Sequence, residues 1–225
     1  MVNRELGVFL SALFEPRRVL DVQPSNRLIE IGMLTVAAFS AIRLLPHIVV
    51  LILSPKRDLL WADLDRFGEQ CDGGKPRSLP ERIILFVKLM TFHSEYRNVF
   101  YFRHRTLAYL LGLLCPSEEF LMIDVKTCGS GLFIQHGYGT LISADEIGAH
   151  CWINQMVSVD SIDNSGKRPK IGNNVTIAAG ARVLGAVTIG DNAFISANSL
   201  VISDIPPGVT VVGVPAKIVF AKKAM

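Results

Sequence analysis

The second half of the chain carries an apolar residue at every sixth position. The repeat runs without a slip through Ile171, Ile177, Val183, Ile189, Ile195 and Val201. A six-residue period fits neither the helical period of 3.6 residues nor the two-residue alternation of a strand. A fixed period sustained along the chain is typical of architectures in which each unit stacks on its neighbours. The pattern therefore predicts a parallel β-helix.

A second column of small or β-branched residues stands four positions after each apolar one: Val175, Ala181, Val187, Ala193 and Ser199. Pairs such as Asn173-Asn174 and Asp191-Asn192 lie between the columns, and such residues tolerate turn and left-handed conformations. Each hexad is thus predicted to be a short strand followed by a bend. A β-sandwich with regular turns is the alternative, but its strands recur at about 8–12 residues.

The same register extends backwards through Ile147, Ile153 and Val159, and the polar stretch 160–170 then interrupts it. Each coil of a β-helix contacts only its neighbours, so an inserted loop can project outwards without unpairing the stack. Loops of this kind often carry function. We therefore predict that residues 160–170 leave the coil as a functional loop.

The first half of the chain is richer in Leu, Phe and Arg, and its pattern predicts helices over 58–70, 80–92 and 95–114. Ser78 and Glu81 form a capping box around a first-turn proline, which gives the second helix a defined start. The fold class is thus α+β, with an all-α region over 1–116 and a β-helix over 117–225. The helices are expected to cap the open end of the coil, whose unpaired backbone groups need cover.

Residues 28–54 are almost wholly apolar and long enough to span a bilayer. Arg43 near the middle would cost about 2.5–3.5 kcal/mol on insertion, which favours two short helices over a span. Cations on both sides would suit an anionic membrane surface, so a peripheral membrane contact is one alternative. A helix buried in the protein or in an oligomer interface is the other.

Composition limits the kinds of binding partner and the cellular compartment that we expect. The net charge is +3 and no basic run is interleaved with aromatics, which argues against a nucleic-acid partner. The four cysteines are scattered without a C-x-x-C pair, as expected for free thiols in a reducing compartment, and no metal site is predicted. With no secretory signal apparent, we expect a cytoplasmic protein, either free or at the inner face of the membrane.

Candidate chemistry centres on His136, which stands among glycines and follows Asp124 by twelve residues. If the two lie in adjacent strands, the carboxylate would orient the ring, and the other ring nitrogen would be free to take a proton from a hydroxyl. The alternative is that His136 fills a surface bend and Asp124 caps a turn.

Several features stand in a fixed order: Ile123-Asp124, the run from Leu132 to Gly137, the loop ending Lys167 to Gly172, the hexads, and Gly213-Val214-Pro215-Ala216-Lys217. Together they resemble the serine acetyltransferase branch of the hexapeptide-repeat acyltransferases, over about the last hundred residues. The resemblance implies a left-handed parallel β-helix, a homotrimer with active sites in the clefts between subunits, and acetyl-CoA as the acetyl donor.

The resemblance also implies roles for individual residues. His136 matches the family's catalytic base and Asp124 its orienting carboxylate. The pantetheine arm of acetyl-CoA would run along the small residues at its bends, and the adenine and phosphate end would lie by the terminal motif. The implied cofactor-binding residues are Ala178, Ala179, Gly180, Ala197, Ala216 and Lys217.

The acceptor is where the chain departs from the family. Serine acetyltransferases carry an Arg-His pair in the loop that helps to hold the acceptor, and this chain has Lys167 and Arg168 there. We place these two residues and Tyr138 at the acceptor site. The loop and the Asp-to-His spacing are also shorter than in the family, and residues 97–103 resemble the lead-in of capsular and exopolysaccharide acetyltransferases.

We therefore predict an O-acetyltransferase for a small acceptor with a hydroxyl, favouring a surface-polysaccharide sugar, with L-serine of cysteine biosynthesis as the alternative. A non-catalytic β-helix that serves as an assembly module is the alternative from another class. A metal-dependent carbonic anhydrase on the same coil is disfavoured, since it needs three histidines at one site and the coil region holds His136 and His150 alone.

Overall fold

A computed structural model describes residues 36, 39–162 and 166–221 of the chain. The predicted apolar segment 28–54 lies partly outside the described residues. Within its described part, one helix begins at Leu45 with Pro46 in its first turn. Among the described residues, no helix has both the length and the apolar character that crossing a bilayer requires.

The helical region precedes the strands, as predicted. Its helices are α1 (Leu45–Leu53), α2 (Arg57–Phe67), α3 (Leu79–Phe92), α4 (Ser94–Arg103) and α5 (Arg105–Leu111). A π-helical turn, Gly68–Asp72, extends α2. The Ser78 hydroxyl accepts the backbone N–H of Glu81 at 3.4 Å and so caps α3 as the sequence predicted.

The single helix predicted over 95–114 is wrong, because the chain breaks at His104. The backbone there has φ −130° and ψ 56°, which separates α4 from α5. Tertiary hydrogen bonds form at this point: Lys56 Nζ donates to the Arg103 carbonyl at 2.9 Å, and the His104 ring contacts the Ser54 hydroxyl at 3.1 Å. Helix propensity is a weak preference, and these contacts override it.

The predicted β-helix is confirmed. Its strands are β1 (Leu121–Cys128), β2 (Phe133–Ile134), β3 (Thr140–Ile147), β4 (Trp152–Ile153), β5 (Ser158–Asp160), β6 (Lys170–Ile171), β7 (Thr176–Ile177), β8 (Arg182–Leu184), β9 (Thr188–Ile189), β10 (Phe194–Ile195), β11 (Leu200–Val201), β12 (Val209–Val212) and β13 (Lys217–Ala221). All pairs among β1 to β12 are parallel, whereas β13 pairs antiparallel with β12 and closes the sheet.

The coil has three faces. The first consists of the starts of β1 and β3 with β5, β8 and β11; the second of the ends of β1 and β3 with β6 and β9; and the third of β2, β4, β7, β10 and β12. The hexad residues point inwards and are buried, as are the small residues of the second column. Val159 and Ile171 are the inward residues of two consecutive faces, which are six positions apart in the hexads that follow. Here they are twelve apart, so the chain has six extra residues between β5 and β6, at the loop predicted over 160–170.

The helical region covers the first coil. The rings of Phe67 in α2 and Phe133 in β2 meet edge to face with their centroids 4.7 Å apart. Leu121, Leu132 and Ile134 of the first coil are buried beneath this layer. The apolar interior and backbone groups of the first coil are therefore shielded from water, which is the role that we predicted for the helices.

Candidate active site

His136 lies on an enlarged bend of the first coil. Eight positions separate Ile134 from Ile142, whereas six separate the equivalent residues Ile153 and Val159 one coil further on. The backbone of His136 adopts a left-handed conformation, with φ 54°. That conformation costs a residue with a side chain about 1–2 kcal/mol. Such strained residues cluster at functional sites, and here the strain presents an exposed ring.

The bend fits closely against the helical region. A Cβ added at Gly137 would lie 2.6 Å from Leu121 Cδ2 and 3.3 Å from Glu95 Cγ. Only a glycine therefore fits next to His136 without moving its neighbours. The same contact places the Glu95 side chain, from the first turn of α4, beside the bend.

A cavity of about 720 Å³ opens beside the ring, between the helices and the first coil; it is lined by His136, Gln135, Phe133 and Trp152 from the coil and by Cys71, His93 and Glu95 among others from the helical side. Burial lowers the pKa of His93 and raises the pKa of the Cys71 thiol to about 11. Both groups are thus neutral at physiological pH, and Glu95 is the carboxylic acid that the helical side adds to this lining.

Sequence reasoning missed the residues on the helical side of this cavity. No catalytic or binding role was predicted for His93 or for Glu95. The only available signal was their place at the start of α4, directly after a helix end. Nothing in the sequence shows that this turn faces the first coil.

Asp124 lies on a different edge of the coil. It pairs in register with Ser143, near the edge between the first and second faces. Its carboxylate accepts hydrogen bonds from Arg168 Nη1 at 2.7 Å and from Arg105 Nη2 at 3.3 Å. The Arg168 hydrogen bond is the main cause that holds the pKa of Asp124 below its usual range.

Within one protomer the structure thus brings Asp124 to the loop residue Arg168. It does not join Asp124 to His136: among the described residues, the side-chain hydrogen bond of the His136 ring goes to Gln135. The predicted acceptor residues are also divided between the two edges. Lys167 and Arg168 belong to the loop at 160–170, in which Arg168 contacts Asp124. Tyr138 belongs to the His136 bend, where its exposed ring packs on Phe120 with centroids 5.3 Å apart.

The predicted cofactor residues share an edge with His136. The register of the third face aligns His136, Gln155, Ala179 and Ala197 in successive coils, and we call this row the His136 edge. Backbone hydrogen bonds join the row: Gly180 N–H donates to the Gln155 carbonyl at 3.0 Å and Asn198 N–H to the Ala179 carbonyl at 2.9 Å. With a spacing of about 4.8 Å per coil, the row extends about 14 Å from His136 to Ala197.

Gly180 is required at this edge, because its φ is +71° and an added Cβ would lie 2.2 Å from Asn198 Oδ1. Ala178 precedes it at the same bend, with its N–H bonded to the Ile195 carbonyl at 2.9 Å. Ala216 lies one turn further and donates to the Leu200 carbonyl at 2.7 Å, and Lys217 opens β13 with an exposed side chain. Beyond Gln155 the edge thus presents backbone and small side chains, the surface that a narrow flexible arm needs.

A coil of hexads capped by helices, with an exposed histidine at one edge, defines a hexapeptide-repeat transferase. Residues 168–203 match the family model described as bacterial transferase hexapeptide (six repeats). The serine acetyltransferase of Helicobacter pylori strain J99 is 40% identical over 128 residues, which cover 56% of this chain and 73% of that protein. The chain belongs to the serine acetyltransferase family.

Two further comparisons support this family assignment. The serine acetyltransferase of Synechococcus elongatus is 44% identical over 95 residues, 41% of this chain and 39% of that protein, so the match spans well under half of this relative. The crystal structure of Neisseria gonorrhoeae serine acetyltransferase in complex with serine superposes with a TM-score of 0.58 at 25% identity, covering 95% of this chain and 83% of that one. That likeness extends over the helices as well as the coil.

Proposed function

We propose that this chain is an acetyl-CoA-dependent O-acetyltransferase whose acceptor is the hydroxyl of L-serine. The proposal rests mainly on the His136 edge, which aligns an exposed histidine with a row of small residues along which the donor would lie. The names of the relatives favour serine over the surface sugar that we first expected.

His136 would act as the general base. A neutral ring nitrogen takes the proton of the acceptor hydroxyl, the oxygen attacks the thioester carbonyl, and the C–S bond breaks as the proton passes to the departing thiolate. Proton transfer of this kind contributes about 10²–10⁴-fold to the rate. Ala178, Ala179, Gly180 and Ala197 would line the path of the pantetheine arm, with Ala216 and Lys217 towards its nucleotide end.

Asp124 and the loop would come from a neighbouring subunit. Because Asp124 and His136 lie on different edges of one coil, the carboxylate–imidazole dyad is to be formed across the cleft between two protomers of a trimer. The same neighbouring subunit would supply Arg168 and Lys167, which would face the carboxylate of the bound serine. Glu95, beside the His136 bend, is the acid in position to receive its ammonium group.

A saccharide is the second candidate acceptor, because the cavity beside His136 is large. About 720 Å³ is ample for a ligand much larger than one amino acid, and Phe133 and Trp152 give it an aromatic wall. Larger hydroxyl acceptors would therefore fit the same position relative to His136.

The test is the release of free coenzyme A thiol with serine and with a panel of saccharides as acceptors. His136→Ala should lower kcat by about 10²–10⁴-fold while acetyl-CoA binding, measured by calorimetry, is retained. His150→Ala is the matched control, because His150 is also an exposed histidine with a left-handed backbone, φ 58°, but lies on another edge of the coil. It should keep full turnover.

Full turnover in His136→Ala would exclude it as the base. Turnover with saccharides alone would exclude serine, and a chain that binds no acetyl-CoA would be an assembly module and not an enzyme.

A further inference from the structure

Three side chains at the His136 bend form a short hydrogen-bonded chain. The Trp152 indole Nε1–H donates to Gln135 Oε1 at 3.2 Å, and Gln135 Nε2 lies 3.5 Å from His136 Nε2. Trp152 and Gln135 belong to neighbouring coils, since Trp152 pairs in register with Phe133, two positions before Gln135. Neither the family resemblance nor the relatives' names assign a role to this chain of contacts.

Gln135 and Trp152 are both held in place by backbone hydrogen bonds. Gln135 N–H donates to the Ile153 carbonyl at 2.8 Å, and Trp152 N–H to the Val175 carbonyl at 2.9 Å. The Trp152 ring also meets Phe133 edge to face, with centroids 5.2 Å apart, and is half-buried. The indole N–H therefore points at Gln135 from a fixed position.

The donors and acceptors leave one arrangement of protons. An indole nitrogen can only donate, so the amide of Gln135 must turn its oxygen to Trp152 and its NH₂ to His136. An amide NH₂ can also only donate, so His136 Nε2 must accept. A neutral imidazole that accepts at Nε2 carries its proton on Nδ1.

We infer that Trp152 and Gln135 are positioning residues that set the tautomer of His136, keeping Nε2 unprotonated and directed into the cavity. The contact at 3.5 Å is long for a hydrogen bond, so an arriving hydroxyl can displace the amide without losing a strong interaction. Before the acceptor binds, Nε2 would therefore already be unprotonated, with its lone pair facing the position of the acceptor hydroxyl. This consequence for turnover rests on the proposed function; the tautomer itself does not.

The tautomer can be read directly from the full-length protein labelled with ring-¹⁵N histidine, by NMR at a pH where the ring is neutral. The His136 signals are identified as those that vanish in His136→Ala. The wild type should show mainly the Nδ1–H form. Because the proposed dyad with Asp124 of a neighbouring subunit would also favour the Nδ1–H form, the variants are compared in an Asp124→Ala background. There Trp152→Phe removes the indole donor and keeps an aromatic ring, so the amide is free to turn and the Nε2–H form should become the major one.

Gln135→Glu is the second variant; it changes a half-buried side chain to one of almost the same shape, so the fold should be kept. A carboxylate accepts and does not donate, and it should draw the proton to Nε2. Trp61→Phe is the matched control: Trp61 is also half-buried and lies in α2, outside the lining of the cavity. It should leave the tautomer as in the wild type.

The inference is overturned if the wild-type ring carries its proton on Nε2, or if, in the Asp124→Ala background, its tautomer is the same with and without Trp152→Phe or Gln135→Glu. Kinetics separate this result from the proposed function. If His136 is the base, Trp152→Phe should lower kcat about tenfold, with an unchanged KM for acetyl-CoA. A changed tautomer with unchanged kcat would uphold the positioning role and remove His136 as the base.

Discussion

The coil buries aliphatic side chains at a fixed period, whereas the helical region also buries large aromatic side chains, which have no fixed spacing along the sequence. In the coil, the positions of Ile177 and Ala181 recur every six residues, and a buried aliphatic or small residue occupies each of them. In the helices, Phe67 and Phe86 both pack edge-on to Tyr96, with centroids 5.1 and 6.0 Å away. The coil is thus held by local register, and the helical region by contacts between residues far apart in the chain.

The two regions meet through buried charges. Arg103 of α4 bonds the carboxylate of Asp63 in α2 at 2.8 and 3.1 Å, and both side chains are almost fully buried. Arg103 also donates to the carbonyls of Cys128 and Gly129 at 2.9 and 2.6 Å, while Asp63 accepts the N–H of Leu132 at 3.0 Å. One ion pair therefore satisfies three backbone groups at the first bend of the coil.

Breaking this pair should have the largest effect on stability. Arg103→Met leaves the Asp63 carboxylate buried without its partner, which costs about 3–5 kcal/mol of unfolding free energy, measured by urea denaturation. Arg105→Met is the control, since Arg105 forms an exposed pair with Asp124 and should cost less than about 1 kcal/mol. Equal losses in the two variants would show that burial does not distinguish the junction.

The next test compares the two cores directly. Ile177→Ala in the coil and Leu60→Ala in α2 each empty a fully buried site. The cost of such cavities is about 2–5 kcal/mol and depends on how far the surroundings collapse. Strands fixed by ladders on both sides collapse little, so Ile177→Ala should lie near the upper limit and Leu60→Ala near the lower. Urea denaturation of both variants checks this order, and the reverse order would contradict the comparison.

The sequence was sufficient for the coil because one hexad fixes strand, bend and buried face together. Ile171 and Val201 lie where the period placed them, and Asn174 and Asn192 take the left-handed bends that their residue type favours. The loop at 160–170 was also predictable, since an insertion breaks a strict period visibly.

The helical region and the site were less predictable, because their decisive contacts are not local. The break at His104 follows from bonds to residues some fifty positions away, which no helical pattern records. The distance between Asp124 and His136 in the chain does not show that they occupy different edges, since that depends on the number of residues in each bend. Glu95 reaches the site only through the packing of α4 on the first coil.

A smaller effect is expected at the bends, where the coil depends on backbone conformation. Gly180→Ala must hold a side chain at φ +71° and push against Asn198, and should cost about 1–2 kcal/mol. Gly208→Ala is the matched control, because its φ is +70° and an added Cβ meets nothing within 4 Å. Thermal denaturation should show the larger loss for Gly180→Ala. Equal losses would mean that the contact with Asn198 relaxes at no cost.

The smallest effect is expected where the loop touches the coil through an exposed ion pair. Arg168→Gln removes the main cause that lowers the pKa of Asp124. A carboxyl whose pKa is lowered by folding contributes stability above its unfolded value of about 4, and that contribution is lost as the pH falls through the lowered folded value. Because the pair is partly solvated, the variant should lose at most about 1 kcal/mol at pH 7.

That deficit should shrink to nothing in acid, and urea denaturation of both proteins from pH 7 down to pH 3 measures it. Arg168 also donates to the Asp124 carbonyl at 3.4 Å, a bond that does not titrate. A deficit that stays constant down to pH 3 would therefore mean that Arg168 holds the loop through the backbone and not through the carboxylate. The loop would then be joined to the coil as the helices are joined to it, by bonds to main-chain carbonyls.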